Sequence, residues 1–146
     1  FSKKPTWPIK FVPLAVNVIQ HPLPTAARCY KLGKAIRNAV EAYDENFTVA
    51  IFGTGGMSHQ LSGERFGHLN SEFDEWFLDQ LEGDANALIK MTHHELMERA
   101  GVEAVELIMW LVMRGAMSEN VNRIHRNYYV PMTTGMGLIT LEDATA

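Results

Sequence analysis

Hydrophobic residues follow strand-like and helix-like patterns in the first third of the chain. Two apolar runs rich in β-branched residues, Ile9 to Val18 and Val49 to Phe52, are predicted to form strands. Between them, Thr25 is a suitable N-cap for an amphipathic helix that we expect to continue to about Tyr43. The apolar face of this helix carries Cys29, Leu32, Ile36 and Val40. The first part of the chain is therefore predicted to form a strand, a helix and a second strand.

Two further helices are predicted from capping signals in the middle of the chain. Ser71 and Asp74 resemble a capping box, and the helical spacing that follows ends near Gly83. Thr92 and Glu95 form a similar pair at the start of a shorter helix. The apolar positions of the first of these helices are Phe73, Phe77 and Leu81.

Two short extended runs, around Tyr128 to Val130 and Leu138 to Leu141, lie near the end of the sequence. The loop between them is rich in threonine and glycine. Thr133 and Thr134 in that loop could donate hydrogen bonds to an anionic ligand or satisfy their own turn. The order of elements predicts an α/β fold, with a central, mostly buried sheet and helices on both of its faces.

Composition narrows the class of protein. The chain has 146 residues, of which 47% are hydrophobic and 21% charged, as expected for one globular domain. The formal net charge of -4 and the lack of a sustained Lys/Arg patch argue against a nucleic-acid or anionic-membrane surface. Cys29 is the only cysteine, and no signal-like or membrane-spanning run is present, so we expect a reducing, cytoplasmic setting. Because the sequence begins at Phe1 rather than methionine, we expect a processed, truncated or excised chain.

The stretch from Thr48 to Gln60, TVAIFGTGGMSHQ, places a histidine at a position typical of ligand-binding sites. A buried strand is predicted to run into a glycine-rich loop that carries His59, and ligands in open α/β sheets bind at such strand ends. A histidine there could move a proton or hold a metal. The alternative is a structural turn with Ser58 as a cap and His59 in solvent.

A second candidate group lies in the segment Val102 to Met117, which is apolar on nearly every side after Glu103 except at Glu106. A helix that is hydrophobic all round is buried, and an unpaired carboxylate inside it would be costly or would take up a proton. Glu106 therefore needs a partner. That partner is either a cation such as Arg114 or a distant lysine, or a functional site in which Glu106 is a metal ligand or a perturbed acid.

These residues stand in motifs that resemble one known family. GTGGMSHQL at Gly53 to Leu61 and VELIMWLVMRGAM at Val105 to Met117 look like the catalytic subunit of class III extradiol ring-cleaving dioxygenases. The similarity is to the protocatechuate 4,5-dioxygenase beta chain and the gallate dioxygenases. It runs from VPLAVNVIQHPLP near the start to LITLE near the end, and it covers only the C-terminal half of that family's catalytic subunit.

The resemblance implies roles for four residues. His59 matches the histidine that acts as acid and base, taking a proton from a substrate hydroxyl and later returning it. Glu106 matches the carboxylate ligand of a non-haem Fe(II). Thr133 and Thr134 lie where relatives bind the ring carboxylate through a serine or threonine.

The family's iron site also needs two histidines, which come from the N-terminal half of the catalytic subunit. The other histidines of this chain stand in no matching motif: they are His21, His68, His93, His94 and His125. Residues 1–146 are therefore expected to be the C-terminal portion of one catalytic domain. We expect them to be inactive alone unless another segment or a partner chain completes the site.

The implied reaction is cleavage of a catechol-type ring, such as protocatechuate or gallate, beside its two hydroxyls with incorporation of both atoms of O2. The implied partners are the aromatic substrate and O2, within a homodimer or a heteromer with a small subunit. Two alternatives remain open. One is a non-catalytic scaffold relative, and the other is a phosphate- or nucleotide-binding module built on GTGG, although neither full phosphate-binding glycine motif is present.

Overall fold

Five α-helices and one two-stranded sheet form the regular structure of the computed structural model, which describes residues 9–46 and 48–144. The helices are α1 (Ala26–Glu41), α2 (Ser71–Glu82), α3 (Asn86–Lys90), α4 (His93–Ala100) and α5 (Ile108–Gly115). A 3-10 helix, Glu103–Leu107, directly precedes α5. Strands β1 (Val121–Tyr129) and β2 (Met136–Asp143) pair antiparallel. The chain thus contains both helices and a sheet, as the α/β prediction requires.

Capping residues set the starts of three helices. Thr25 accepts a hydrogen bond from the backbone N of Arg28 and begins α1, as predicted. Thr92 and Glu95 form the predicted capping box of α4. The box predicted at Ser71 is wrong, because Asn70 is the N-cap of α2 and the side chain of Asp74 points away from the helix end into the interior.

The core lies between the helices: α1 packs on α5, and α2 contacts α4 and, through Phe77 and Trp110, α5. Close contact between α1 and α5 depends on Gly33, since a Cβ there would lie 2.2 Å from the carbonyl oxygen of Val112. All three apolar positions predicted for α2 are buried. Other side chains in the same cluster are Cys29, Met57, Leu78, Leu96, Leu107, Ile108 and Leu111.

The two strands predicted in the first third of the chain are wrong. Residues 9–18 and 49–52 are not assigned to any strand and pair with none of the described segments. Their apolar side chains are also largely exposed, Val12 to 88% and Phe52 to 83%. A strand is stabilised by hydrogen bonds and side-chain contacts with a neighbouring strand. An apolar run without such a neighbour therefore does not form a strand.

The segment 102–117 was predicted as one buried helix, and the structure divides it. Ile108–Gly115 is a buried α-helix, but Glu106 lies in the preceding 3-10 helix, with its side chain 28% exposed. Because the side chain of Glu106 is partly exposed, it does not carry the full desolvation free energy expected of a buried carboxylate.

The predicted pair of extended runs near the end of the chain is confirmed as a hairpin. Its register pairs Tyr129 with Met136 and Arg123 with Leu141, with an irregularity between Arg123 and His125. Arg126 on β1 forms ion pairs with three carboxylates of α2, those of Glu75, Asp79 and Glu82. The loop at the tip of the hairpin carries Thr133 and Thr134 to the segment that contains His59. Within the described residues, no helix is long and apolar enough to span a membrane.

Candidate active site

Main-chain contacts fix His59 on three sides. Its backbone N donates to the carbonyl oxygen of Ala100 at 2.8 Å, at the end of α4. The segment also forms an isolated antiparallel bridge with Thr134. Gly101 lies against the same backbone with φ of +100°, and a Cβ there would be 2.0 Å from the carbonyl oxygen of His59. Any side chain at position 101 would therefore displace the histidine or the end of α4.

The imidazole of His59 is buried, with the side chain 8% exposed. Its Nδ1 lies 2.7 Å from the carbonyl oxygen of Met57. A carbonyl oxygen can only accept, so Nδ1 carries a hydrogen and Nε2 is left as the atom that can gain or release a proton. The alternative of a solvated His59 is wrong, because the ring is buried and is oriented by a main-chain carbonyl.

Glu106 faces this nitrogen. Its Oε1 accepts a hydrogen bond from the backbone N of Gly56 at 2.6 Å and lies 3.6 Å from Nε2 of His59. When His59 is neutral, a lone pair and a carboxylate oxygen face each other across that gap. Both atoms are acceptors, so the arrangement favours a proton or a cation near them.

The salt-bridge alternative for Glu106 is wrong with respect to Arg114. The Arg114 guanidinium is buried and donates to the main-chain carbonyls of Leu81, Gly83, Ser118 and Glu119. Among the ion pairs of the described residues, Glu106 has no lysine or arginine partner. The recorded contacts of its carboxylate are the backbone N of Gly56 and the imidazole of His59.

Gly56 marks the point where the candidate groups meet. A Cβ placed on Gly56 would lie 3.0 Å from Cγ2 of Thr134, 3.1 Å from Cε1 of His59 and 3.2 Å from Oε1 of Glu106. Glycine leaves this space free of a side chain. Three of the four residues selected from the sequence are therefore brought together, while Thr133 is half-buried one position along the same loop.

Asp74 contacts Ser58, the residue next to His59. The sequence pattern had indicated only a capping role for it. It is fully buried, and its two oxygens accept hydrogen bonds from the backbone N of Ser58 (2.8 Å), from Oγ of Ser58 (2.6 Å) and from the hydroxyl of Tyr128 (2.8 Å). Burial raises the pKa of Asp74, and it raises the pKa of Tyr128 to about 12. The tyrosine therefore stays protonated at neutral pH and acts as a donor.

The remaining histidines do not join this cluster. His68 contacts the carbonyl oxygen of Arg99, and His93 contacts that of Pro24. Across residues 9–46 and 48–144, no three His, Cys, Asp or Glu side chains come together as a metal site would require. Among the described residues, the cluster at Gly56 therefore contains His59 and Glu106 but no third side chain of these types.

The nucleotide-binding alternative for GTGG is also disfavoured. The backbone N of Gly56, which would have to bind a phosphate oxygen, already donates to Glu106. A carboxylate in that position would repel a phosphate group.

Comparison with known proteins identifies a family and a similar enzyme. A family model described as the catalytic LigB subunit of aromatic ring-opening dioxygenase matches residues 3–139. Gallate dioxygenase of Pseudomonas putida strain KT2440 is 51% identical over 138 residues. That alignment covers 94% of this chain but 41% of the relative, so the chain spans less than half of the relative's length. The matches confirm the resemblance drawn from the two motifs.

Proposed function

Because the chain belongs to the family of catalytic LigB subunits of aromatic ring-opening dioxygenases, we propose that it supplies part of the active site for extradiol cleavage of a carboxylated catechol-type ring. Gallate and protocatechuate are the substrates proposed, with O2 as the second substrate. The convergence of His59, Glu106 and Thr134 on Gly56 is the observation that supports this proposal best. Since the chain spans 41% of the gallate dioxygenase relative, the reaction is assigned to the complete catalytic domain.

His59 is proposed as the acid and base. Its Nε2 is the ring nitrogen not held by the main chain, and it lies 3.6 Å from Oε1 of Glu106. The ring is already oriented, so a substrate hydroxyl within hydrogen-bond reach would transfer its proton with little rearrangement. The same nitrogen then returns the proton later in the reaction.

Glu106 is proposed as one ligand of Fe(II). A partly exposed carboxylate with no lysine or arginine partner among the described residues fits a cation-binding role. Two histidine ligands would have to come from residues outside this set, in another segment of the complete protein or a partner chain. When bound, Fe(II) would hold the ring hydroxyls and O2 together as a template.

Thr133 and Thr134 are proposed to bind the ring carboxylate. The bridge between Thr134 and His59 keeps this loop beside the acid/base residue. A substrate carboxylate held there would place its hydroxyl-bearing carbons towards His59.

We also propose a cytoplasmic protein that acts as a homodimer or as a heteromer with a small subunit.

Residues 1–146 alone are expected to bind no stoichiometric iron and to cleave no gallate or protocatechuate, because one carboxylate does not retain Fe(II). Iron analysis after anaerobic loading, with O2 uptake, checks this. The matched control is the same chain within a protein that carries the full family domain. Tight stoichiometric iron in the short chain would overturn the incomplete site, while a metal-free full domain would favour the scaffold alternative.

Replacing Thr134 with valine in the full domain is expected to raise KM for gallate about 10- to 100-fold, because a hydrogen bond to a charged group is lost. KM for a catechol without a carboxylate should stay within about twofold. Thr133→Val distinguishes the two threonines, and Thr140→Val, at an exposed position of β2, is the control. Equal changes in KM for both rings would contradict a role in carboxylate binding.

A further inference from the structure

Two loops must be held in fixed relation for the proposed chemistry, one carrying His59 and one carrying Thr134. They exchange main-chain hydrogen bonds, from the backbone N of Gly135 to the oxygen of Ser58 and from the backbone N of Met57 to the oxygen of Gly135, both at 2.9 Å. The hydrogen-bonded residues lie one or two positions from His59 and one position from Thr134, so the two loops are held in a fixed register.

Asp74 is the side chain that both loops share. It binds Ser58 through the backbone N and the hydroxyl, next to His59. On the other loop, a Cβ at Gly135 would lie 2.2 Å from Oδ2 of Asp74, so the carboxylate packs directly on that backbone. The hydroxyl of Tyr128 on β1 reaches the same oxygen.

The rest of the hydrogen bonding around Ser58 is also complete. Its Oγ donates to Asp74 and accepts from the backbone N of Asn70, the N-cap of α2. The His59 loop, the start of α2 and the hairpin thus meet at one buried carboxylate. A displacement of that carboxylate would move both loops.

Burial of Asp74 works against the charged form of its carboxylate, while three hydrogen bonds favour it. Burial raises the pKa of Asp74, so the folded protein holds this proton more tightly than the unfolded chain does. As the pH rises from the unfolded pKa through the raised folded pKa, ionisation of this group lowers the free energy of unfolding.

Resting on the proposed function, we propose that Asp74 is a positioning residue that sets the spacing between His59 and Thr134 and thereby the selectivity for carboxylated rings. It touches neither the substrate nor the metal. Its effect passes through Ser58 to the acid/base residue and through Gly135 to the carboxylate-binding loop.

The test compares two rings in the complete catalytic domain. The ratio of kcat/KM for protocatechuate to that for catechol is measured in the wild type and in Asp74→Asn. Asparagine keeps the size of the side chain and can still accept from the Ser58 amide, but it loses the charge and one acceptor oxygen. We expect the ratio to fall about tenfold or more, since displacements near 1 Å cost large factors in rate. Loss of folded enzyme lowers both values equally and leaves the ratio unchanged.

Three further variants complete the experiment. Asp79→Asn lies on the same helix with its side chain 63% exposed and should leave the ratio unchanged. Tyr128→Phe removes one of the three hydrogen bonds to Asp74, together with the contact to Oγ of Ser71, and should lower the ratio about two- to fivefold. It replaces Asp74→Asn in the test if that variant does not fold. In a Thr134→Val background, Asp74→Asn should change the ratio by less than twofold, because the two residues act on the same contact.

The outcomes separate the two proposals. If the wild type cleaves none of gallate, protocatechuate and catechol, the proposed function fails and the positioning role fails with it. If the wild type prefers protocatechuate but Asp74→Asn lowers both kcat/KM values by one factor, the proposed function stands and Asp74 is merely structural. Full additivity with Thr134→Val would likewise overturn the positioning role.

Discussion

Replacing His59 with alanine in the complete catalytic domain is expected to lower turnover about 10²- to 10⁴-fold while iron content is unchanged. The reason is the orientation of the ring. Nδ1 is engaged by a main-chain carbonyl, and Nε2 is the atom available for proton transfer. Steady-state O2 uptake, normalised to bound iron, measures the loss. His59→Phe should give the same result while filling most of the buried volume.

His68→Ala is the matched control for this experiment. His68 contacts the carbonyl oxygen of Arg99 and takes no part in the cluster at Gly56, so its replacement should leave turnover within about twofold. An enzyme that loses iron on His59 replacement but keeps its turnover per iron would identify the histidine as a metal ligand instead.

Replacing Glu106 with alanine is expected to weaken Fe(II) binding about 100-fold or more and to abolish activity at ordinary iron concentrations. The carboxylate is the one candidate metal ligand in the cluster, and it has no arginine or lysine to neutralise it among the described residues. Glu106→Gln should preserve the contact with the backbone N of Gly56, since an amide oxygen also accepts. The iron content of both variants is measured after dialysis against a weak chelator. Comparing glutamine with alanine at this position separates the loss of charge from the loss of packing.

Glu98→Gln, on the exposed face of α4, is the control and should retain iron. The outcome that contradicts the ligand role is a Glu106→Ala enzyme with full iron and full turnover. In that case the short distance to His59 would represent an ion pair with the protonated imidazole and nothing more.

Local signals in the sequence were sufficient for the starts of α1 and α4 and for the final hairpin. Thr25 and the Thr92–Glu95 pair satisfy backbone groups within a few residues of themselves, so their sequence pattern alone identifies the helix starts. The runs at 9–18 and 49–52 failed as strand predictions because strand pairing depends on distant partners. The apolar content of a run favours its burial, but it does not identify the segment that would pair with it or cover it.

The candidate site was partly predictable for the same reason. His59 and Glu106 stand in motifs, so they could be selected without knowing that Gly56 brings them together. Asp74 could not be selected, since Ser71 three positions earlier gave it a local explanation as a cap. Its actual partners, Ser58 and Tyr128, are 16 and 54 residues away, and only the folded chain brings them together.

The contact between Nδ1 of His59 and the carbonyl oxygen of Met57 also bears on how the protein responds to mutation. In many acid/base histidines the second nitrogen is held by an aspartate, and a single substitution then disturbs the tautomer. Here the oxygen belongs to the main chain, which every amino acid at position 57 would supply. The protonation pattern of the ring is therefore insensitive to point substitution of its hydrogen-bond partner. Only changes that move the backbone, such as a side chain at Gly101, would alter it.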